Sequence, residues 1–457
     1  MADSAKSFGE IHMLRLAIAT VLLFTFGALN ALATADESRP ELPESQTGQI
    51  AAAWIKLFET DSDDAVRDFE ATYGIPVELK WADVRLDRVL EQSEYSLSIL
   101  VTALPCDDQH LIEFEVRSQP PHGLLGIGVR GPIESAQLDA AIAPLDAKRR
   151  ESTVKATART LRDHYVFPDM GEKMASLLEA NAAAGRYDHI TQPTQLARML
   201  TDDLQTVCHD KHLRVRRRLP VVRGSQPTEE EHRARERRGN FGFVRTEVLP
   251  GNIGYIKFNG FSGAEDASAA AAAAMAFVER CDALIFDVRE NGGGSPRMIE
   301  FLCSYLFPPG THLNSFKDRD GSETGRTTTH DRIPGKKFAD DLPVYVLTSS
   351  YTFSAAEEFT YNLQQTKRAT IVGETTGGGA HPVNISALNR QFEISIPFQR
   401  AENPISKTNW EGTGIVPEIK VAAGSALEAA QADALQRMGS RARSAQVGMT
   451  NLVPSRQ

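Results

Sequence analysis

The chain has 457 residues, of which 41% are hydrophobic and 24% are charged, the profile of a globular protein with two or three folded units. Its formal net charge of −10 argues against nucleic acid as a partner, because phosphate binding needs a basic face. The basic run Arg214–Arg218 is followed by arginines interleaved with Glu229–Glu231, and this pattern predicts a solvated surface of mixed charge.

Residues 1–35 have the pattern of a secretory signal peptide. Arg15 precedes an apolar run from Leu16 to Leu29, and an A-x-A cleavage signal ends at Ala35. The alternative is a single membrane anchor, but the apolar run is shorter than the roughly 20 residues that a span needs. We therefore expect cleavage, no stable membrane span afterwards, and export to a periplasm or to the extracellular space.

Residues 46–132 predict a small α+β module. Apolar residues recur at helical spacing from Ile50 and are interrupted at Asp61–Asp64, which predicts two short helices. Three β-rich runs follow and predict a small antiparallel sheet that ends near Pro132. The module shows no cluster of titratable residues, so we assign it a structural or substrate-presenting role.

Residues 136–220 predict a helical subdomain that ends in the run C-H-D-K-H-L-R-V-R. Its expected helices cover residues 138–161, 170–184 and 193–207. The charged residues 221–239 predict a surface loop.

Residues 240–424 alternate between short β-branched runs and helical segments, which predicts a βαβ domain with a parallel sheet. The expected strands are 253–258, 283–288, 344–348 and 370–372, and the expected helices are 264–278, 296–307 and 355–365. Residues 425–457 are expected to add a C-terminal helix and a tail.

The four cysteines lie far apart, which excludes a C-x-x-C metal or redox motif. Cys281 and Cys303 stand in apolar segments and are expected to be small core residues. His209 and His212 have the i, i+3 spacing of a metal pair, but no third ligand stands in a clear motif. We therefore expect neither a metal nor a cofactor.

Ser354 stands where a predicted buried strand turns into a helix. The backbone N–H groups of Ala355 and Ala356 have no helical partner at this end and point toward developing negative charge. Such a position can supply a nucleophile together with one donor of an oxyanion hole. The structural alternative is an N-cap serine whose capping box is completed by Glu357.

Glycine-rich loops follow two of the predicted strands. Asp287 begins the run D-V-R-E-N-G-G-G, in which glycines let the backbone approach a substrate at the carboxyl edge of the sheet. Gly373–His381 reads G-E-T-T-G-G-G-A-H, and W-E-G-T-G-I-V-P begins at Trp410. The loops could equally be turns, but nucleotide binding is disfavoured because no P-loop or strand-linked G-x-G-x-x-G occurs.

Taken in order, these runs are similar to the catalytic domain of the C-terminal-processing (tail-specific) serine peptidases. The matching runs are D-V-R-x-N-G-G-G, T-S-x-x-T-F-S-A-A-E-E-F, G-E-T-T-G-G-G and G-x-G-I-V-P, all between residues 240 and 424. The resemblance implies an α/β crotonase-like (ClpP/crotonase-type) domain with Ser354 as nucleophile, and a peptide or protein as substrate.

The chain departs from this family at the general base. Bacterial tail-specific members use a Ser/Lys dyad, and its lysine falls at Gly379 in this sequence. Lys367 lies 13 residues after Ser354 on the same predicted helix, about 20 Å away at 1.5 Å per residue. The Ser/Lys dyad is therefore expected to be absent.

The runs T-F-S-A-A-E-E-F and G-E-T-T-G-G-G-A-H-P resemble more closely the branch that includes the tricorn core and the interphotoreceptor retinoid-binding proteins. Tricorn-type members assist their serine with an upstream histidine and a downstream glutamate, which match His212 in D-x-H-L and Glu411 in W-E-G-T-G. The resemblance implies that His212 accepts the seryl proton and that Glu411 orients it. His381 is the alternative base, and Glu374 is the alternative carboxylate.

The predicted oxyanion hole consists of the N–H groups of Ala355 and Gly293. Only about 40 residues separate His212 from the strand at Ile253, too few for an inserted PDZ domain, so none is expected. The sequence thus predicts an exported serine peptidase that acts through an acyl-enzyme on Ser354. The alternative is a non-catalytic carrier of retinoids or fatty acids, because the retinoid-binding relatives have that role on the same fold.

Overall fold

The computed structural model describes residues 40–450, except for 61, 74–76, 78–80, 93–94, 117–123, 134–137, 140–141 and 219–228. The predicted signal peptide and the last residues of the predicted tail lie outside the described residues. Residues from Leu42 onward form one unit, which is described below. Among the helices described, none combines the length and the apolar character that crossing a bilayer requires.

The first part of this unit is an α+β module, as its sequence predicts. Its elements are α1 (Gln46–Thr60), α2 (Asp63–Tyr73), β1 (Asp83–Gln92), β2 (Ser96–Leu104), β3 (Asp108–Val116) and β4 (Leu124–Arg130). The four strands form one antiparallel sheet in chain order. Ile50 and Trp54 lie on the buried face of α1 and pack with Phe114 of β3. The sequence pattern did not reveal β1, because charged residues break its apolar alternation.

A helical subdomain follows. It consists of α3 (Ala147–His164), α4 (Pro168–Ala183) and α5 (Pro193–Val207), and a short strand, β5 (Arg214–Arg217), comes after them. The helix predicted over residues 138–161 is interrupted, because residues 138, 139 and 142 are helical but residues 143–146 are not. Helix α3 begins at residue 147, because the Asp146 side chain accepts a hydrogen bond from Arg149 N–H and caps the helix there.

Two predictions about charged segments are also wrong. Residues 229–238 form a helix, α6 (Glu229–Arg238), rather than a loop, and Arg237 pairs with Asp266. The run that begins at Arg214 is not wholly solvated. Arg217 is buried against two glutamates of the α+β module, where its charge is compensated.

The remaining strands and helices build a six-stranded sheet with helices on both faces. The strands are β6 (Phe243–Leu249), β7 (Ile253–Phe258), β8 (Ala283–Asp287), β11 (Val344–Thr348), β12 (Thr370–Gly373) and β16 (Ile419–Lys420). Their order is β16-β12-β11-β8-β7-β6, and only β6 runs antiparallel to its neighbour. The predicted parallel βαβ arrangement is therefore confirmed.

The helices of this domain are α7 (Ala267–Phe277), α8 (Pro296–Cys303), α9 (Ala355–Gln365) and α10 (Ala426–Thr450). Residues of α7, α8 and α9 share one core with Phe286 and Val346, which point to one face of the sheet. Helix α10 packs with Ile285 and Tyr345 on the opposite face. Cys281 and Cys303 are buried, as predicted.

Two small antiparallel sheets complete the fold. One contains β10 (Glu323–Thr328), β9 (His312–Lys317) and β15 (Arg400–Glu402), in that order. The other contains β13 (Val383–Ala387), β14 (Phe392–Pro397) and β5. The second sheet matters for the site, because β5 attaches the segment with His212 to the domain that carries Ser354.

Candidate active site

Ser354 occupies a strained turn between β11 and α9. It stands immediately before the first residue of α9, with φ 55° and ψ −122°, a conformation that L-residues rarely adopt. The Phe353 N–H donates to the Asn291 carbonyl oxygen (3.1 Å), and the Thr352 hydroxyl donates to the Val288 carbonyl oxygen (2.8 Å). The loop after β8 therefore holds the turn in place.

Glu357 joins this turn to the glycine-rich loop after β12. The buried carboxylate accepts hydrogen bonds from the N–H groups of Ser354 (2.9 Å), Gly378 (2.7 Å) and Gly379 (2.8 Å), and from the Thr376 hydroxyl. Burial raises the pKa of Glu357, and the hydrogen bonds oppose that rise. The sequence pattern indicated only a capping role, because the partners from the distant loop are not visible in it.

The two predicted oxyanion donors differ in their availability. Among the described residues, the Ala355 N–H has no hydrogen-bond acceptor. Gly293 lies directly against Ser354, since an added Cβ would stand 2.8 Å from Ser354 Cβ. The Gly293 N–H, however, donates to Asn291 Oδ1 at 2.9 Å. This N–H would have to leave or share that acceptor before it could bind an oxyanion.

His212 lies next to the space into which a side chain at position 379 would project. A Cβ added to Gly379 would overlap the Phe353 ring and lie 2.7 Å from His212 Cε1. The rings of His212 and Phe353 are in contact, with 4.6 Å between their centroids. A lysine at position 379 has no room here, and the imidazole occupies the neighbouring space.

Asp210 connects the two candidate histidines. It is 2% exposed, its Oδ1 accepts the backbone N–H of His212 (3.0 Å), and its Oδ2 lies 2.7 Å from His381 Nδ1. Glu411 Oε2 accepts the Ala380 N–H (2.6 Å) and lies 3.4 Å from the same His381 nitrogen. The sequence argument did not single out Asp210, although it is the aspartate of the D-x-H-L run.

His212 and Glu411 each keep one buried polar atom without a partner. Among the described residues, neither His212 Nδ1 nor Glu411 Oε1 has a hydrogen-bond partner. Burial lowers the pKa of His212 to about 4, whereas burial and the nearby Asp210 raise the pKa of Glu411 to about 7. At neutral pH His212 is therefore uncharged, the form in which imidazole accepts a proton.

The predicted site residues thus fall into two adjoining groups. Ser354, Ala355 and Gly293 lie together, and His212 lies with Glu411 beside Asp210. Phe353 and Gly379 connect the groups. Within the described part of the chain, no hydrogen bond joins Ser354 to His212.

The alternatives considered for the base and the carboxylate occupy other positions. Glu374 accepts the N–H groups of Ser350 (3.2 Å) and Ala423 (3.1 Å), which gives it a structural role. Lys367 is exposed beyond the carboxyl end of α9, whereas Ser354 precedes its amino end. His381 is buried against Asp210 and the Phe167 ring.

One group in the site has donors that suit a divalent cation. Ligand atoms of Asp210, His212 and Glu411 lie within 4.8 Å of one another. The exposed His209, considered from the sequence as a partner of His212, is not part of this group.

Two family models match this chain. Residues 252–421 match the model described as peptidase family S41, and residues 137–238 match the N-terminal domain of peptidase S41 in eukaryotic IRBP, the interphotoreceptor retinoid-binding protein. Together the two matches cover more than half of the chain. The chain belongs to peptidase family S41, the family of the C-terminal-processing peptidases.

Similar proteins include carboxyl-terminal-processing peptidase 2, chloroplastic, from Arabidopsis thaliana. It is 28% identical over 179 residues, 37% of this chain and 33% of the relative. The carboxyl-terminal-processing protease of Synechocystis sp. is 28% identical over 153 residues, 34% of each protein. The chain spans about a third of the length of these relatives. The solved photosystem II D1 C-terminal processing protease is 14% identical with a TM-score of 0.39, covering 61% of this chain and 94% of its own.

Proposed function

We propose that this chain is an exported serine peptidase that hydrolyses peptide bonds through an acyl-enzyme on Ser354. The observation that carries the proposal is the strained Ser354 at the amino end of α9, followed by an Ala355 N–H for which the described residues provide no acceptor. His212 is uncharged at neutral pH, and its ring contacts the ring of Phe353, the residue before Ser354. Strained backbone of this kind persists where the surrounding structure enforces it, and it is concentrated at active sites.

In the proposed reaction, His212 takes the proton of the Ser354 hydroxyl as Ser354 Oγ attacks the carbonyl carbon of the substrate. The tetrahedral intermediate collapses as His212 returns the proton to the leaving amine, which leaves an ester on Ser354. Water activated by the same histidine then hydrolyses the ester. Glu411, whose Oε1 has no hydrogen-bond partner among the described residues, orients His212 and stabilises its protonated form.

The oxyanion is bound by the Ala355 N–H, the first donor of α9, which has no acceptor within the part of the chain that the structure describes. The Gly293 N–H joins it when the bond to Asn291 Oδ1 is released or shared. Removing one oxyanion donor from a serine protease typically costs about 10²–10³ in kcat. The protein should therefore be much more active when the Gly293 N–H is available to the oxyanion than when it is bonded to Asn291 Oδ1.

His212 is preferred to His381 as the base because of what surrounds each ring. His212 contacts Phe353, the neighbour of Ser354, and its Nδ1 has no partner within the described part of the chain. The His381 Nδ1 is engaged by Asp210 and lies near Glu411. We assign His381 the role of holding these two carboxylates in place.

The finer features of the proposal follow the sequence. They are a crotonase-like catalytic domain without an inserted PDZ domain, a peptide or protein substrate, and export directed by residues 1–35. The relatives' printed names, processing peptidase and processing protease, support the substrate class.

The test compares two single variants. Ser354→Ala is the test variant, and Ser350→Ala is its control, because it removes an exposed hydroxyl from the same turn. We expect Ser354→Ala to abolish peptide hydrolysis and labelling by a fluorophosphonate probe, with an unchanged circular dichroism spectrum. Ser350→Ala should keep both activities. Hydrolysis that persists unchanged in Ser354→Ala would refute the assignment.

The same probe distinguishes a carrier of apolar ligands from an enzyme. A carrier would bind a retinoid or fatty acid while Ser354 stays unlabelled. Two surface cavities of about 580 and 480 Å³ have mixed linings of charged, polar and apolar side chains, among them Asp340 and Arg368 in the first and Arg319 and Phe398 in the second. Neither lining includes Ser354.

A further inference from the structure

The α+β module, residues 46–132, contributes none of the proposed catalytic residues. Neither family model reaches it, since the matches begin at residue 137. Several of its contacts with the rest of the chain meet one segment, made of α5, residues 208–213 and β5. This segment, called the base-bearing hairpin below, carries Asp210 and His212.

One of these contacts is a group of three charges, of which Arg217 and Glu91 are buried and Glu113 is partly exposed. Arg217, the last residue of β5, has a side chain that is 2% exposed. Its Nη1 lies 3.2 Å from Glu91 Oε1 at the end of β1, and its Nη2 lies 3.1 Å from Glu113 Oε1 on β3. A buried charge of this kind is held firmly, because moving away from its partners leaves it uncompensated in a medium of low polarity.

The other arm of the hairpin is held by the same module. Arg198 of α5 places its guanidinium 4.5 Å from the centre of the Tyr95 ring, within the range of a cation–π interaction. The module therefore contacts both the incoming and the outgoing arm.

The hairpin transmits a displacement of its arms to the site because the arms are bonded to each other. The Thr201 hydroxyl accepts the Val215 N–H (3.0 Å), which ties α5 to β5. The Gln205 side-chain amide donates to the carbonyl oxygens of Asp210 (2.6 Å) and Leu213 (3.2 Å), on either side of His212. His212 lies only two residues before β5, so a shift of β5 moves its backbone directly.

We infer that the α+β module is a clamp that holds the base-bearing hairpin in register with Ser354, with Arg217 as the central positioning residue. The inference rests on the proposed function, in which His212 is the base. From the sequence, the module was expected to have a structural or substrate-presenting role. The clamp instead gives it an effect on the catalytic rate, through the position of His212. A displacement of about 1 Å in a catalytic group can cost roughly 10²-fold in rate.

The main test is Arg217→Met, which removes the charge and keeps most of the apolar stem. Its matched control is Arg88→Met, because Arg88 joins the module to Asp139 and not to the hairpin. For Arg217→Met we expect kcat per folded molecule to fall by about tenfold or more with KM unchanged, whereas Arg88→Met should match the wild type. A rise in KM with kcat unchanged would show a substrate-presenting module and overturn the inference. A lower Tm with both constants unchanged would show a merely structural role and also overturn it.

Should Arg217→Met fail to fold, Arg198→Met decides the matter, because its partly exposed side chain makes a weaker contact with the module, at Tyr95, and otherwise pairs with Asp202 of its own helix. We expect a smaller decrease in kcat, about twofold, again without a change in KM. A kcat equal to that of the wild type in this variant would contradict the clamp.

Hydrogen exchange separates the clamp from the proposed function. In Arg217→Met, or in Arg198→Met if the former does not fold, amides of residues 208–213 should exchange faster than in the wild type. Arg88→Met should leave them unchanged. Unaltered exchange overturns the clamp, whether or not the chain is a peptidase. If the wild type shows no Ser354-dependent hydrolysis, the proposed function fails while the exchange result still stands for or against the clamp.

Discussion

At the scale of single residues, the exchange of lysine for glycine at position 379 has a steric reason. The space into which a side chain at this position would project is taken by the Phe353 ring and by His212. In the proposed function, the base therefore comes from a different segment, the one that carries His212. A glycine is required at position 379, because any Cβ would displace the imidazole or the ring beside Ser354.

This steric argument predicts the effect of Gly379→Ala. The added methyl group must push the Phe353 ring or His212 away from its place, and tightly packed interiors transmit such shifts. We expect kcat to fall by about tenfold or more, with a decrease in the free energy of unfolding of about 1–3 kcal/mol. The measurements are steady-state kinetics and urea denaturation. Wild-type kinetics in the variant would show that His212 does not need its observed position.

The pKa of Glu411 predicts how activity depends on pH. Burial and Asp210 raise this pKa to about 7, so Glu411 is mainly neutral below pH 7 and mainly ionised above it. Only the ionised form stabilises protonated His212, and kcat/KM should therefore rise with pH across a limb centred near 7. In Glu411→Gln this limb should disappear and activity should be low throughout. A wild-type limb near pH 4, set by His212 alone, would contradict this role for Glu411.

At the scale of elements, α9 depends on two neighbouring buried glutamates with unlike surroundings. Glu357 receives four hydrogen bonds, from the nucleophile's own N–H and from the loop after β12. Glu358 accepts one from the Thr327 hydroxyl, and burial raises its pKa to about 7. Glu357 thus fixes the relative positions of two catalytic segments, whereas Glu358 contributes to the core beneath the helix.

The same substitution at these two positions should have unequal effects. In Glu357→Gln a single acceptor oxygen replaces two, so at least one buried N–H loses its partner, at a cost of about 1–3 kcal/mol. We expect a lower free energy of unfolding and a kcat reduced by about tenfold or more. Glu358→Gln replaces a carboxyl group whose raised pKa already favours the neutral form. This variant should therefore retain most of the stability and activity. Equal behaviour of the two variants, followed by urea denaturation and kinetics, would contradict the distinction.

Elements with a clear apolar period were predictable, and those whose burial depends on distant partners were not. The strands that end at Asp287 and Thr348 consist of buried side chains, and the sequence shows them as apolar runs. Strand β5 reads R-V-R-R, and its burial becomes apparent only when β14 and two glutamates of the module lie beside it. Helix α6 was missed because its residues are almost all charged.

At the scale of the whole molecule, the six-stranded sheet needs a cover on each face. Helices α7, α8 and α9 cover one face, and α10 covers the other through Ala426, Ala430 and Ala434. Small side chains at this spacing let the helix approach the sheet closely. Helix α10 is therefore part of the domain's core and not a dispensable extension.

Helix α10 offers a matched pair of substitutions. Ala430→Asp places an unpaired charge against Ile285 and Tyr345, and an uncompensated buried charge typically costs about 3–5 kcal/mol. Ala432→Asp changes the exposed face of the same helix and should stay within about 0.5 kcal/mol of the wild type. Thermal unfolding of both variants checks this. A normal Tm for Ala430→Asp would show that α10 does not cover the sheet.

The sequence by itself determined the features that depend on neighbouring residues. Ser354 at a strand-to-helix junction, the glycine loops at the carboxyl ends of strands, and the lack of a lysine at position 379 are all local patterns. Local periodicity and turn chemistry are visible in a linear chain.

Only the tertiary structure decided how the distant segments meet. It placed Asp210 between His212 and His381, engaged the Gly293 N–H with Asn291, and buried Arg217 against the module. Each of these results depends on which groups folding buries and which partners it brings together. Burial and partners cannot be read from the residue types alone. The proposal of His212 as the base next to Ser354 therefore depends on the folded chain.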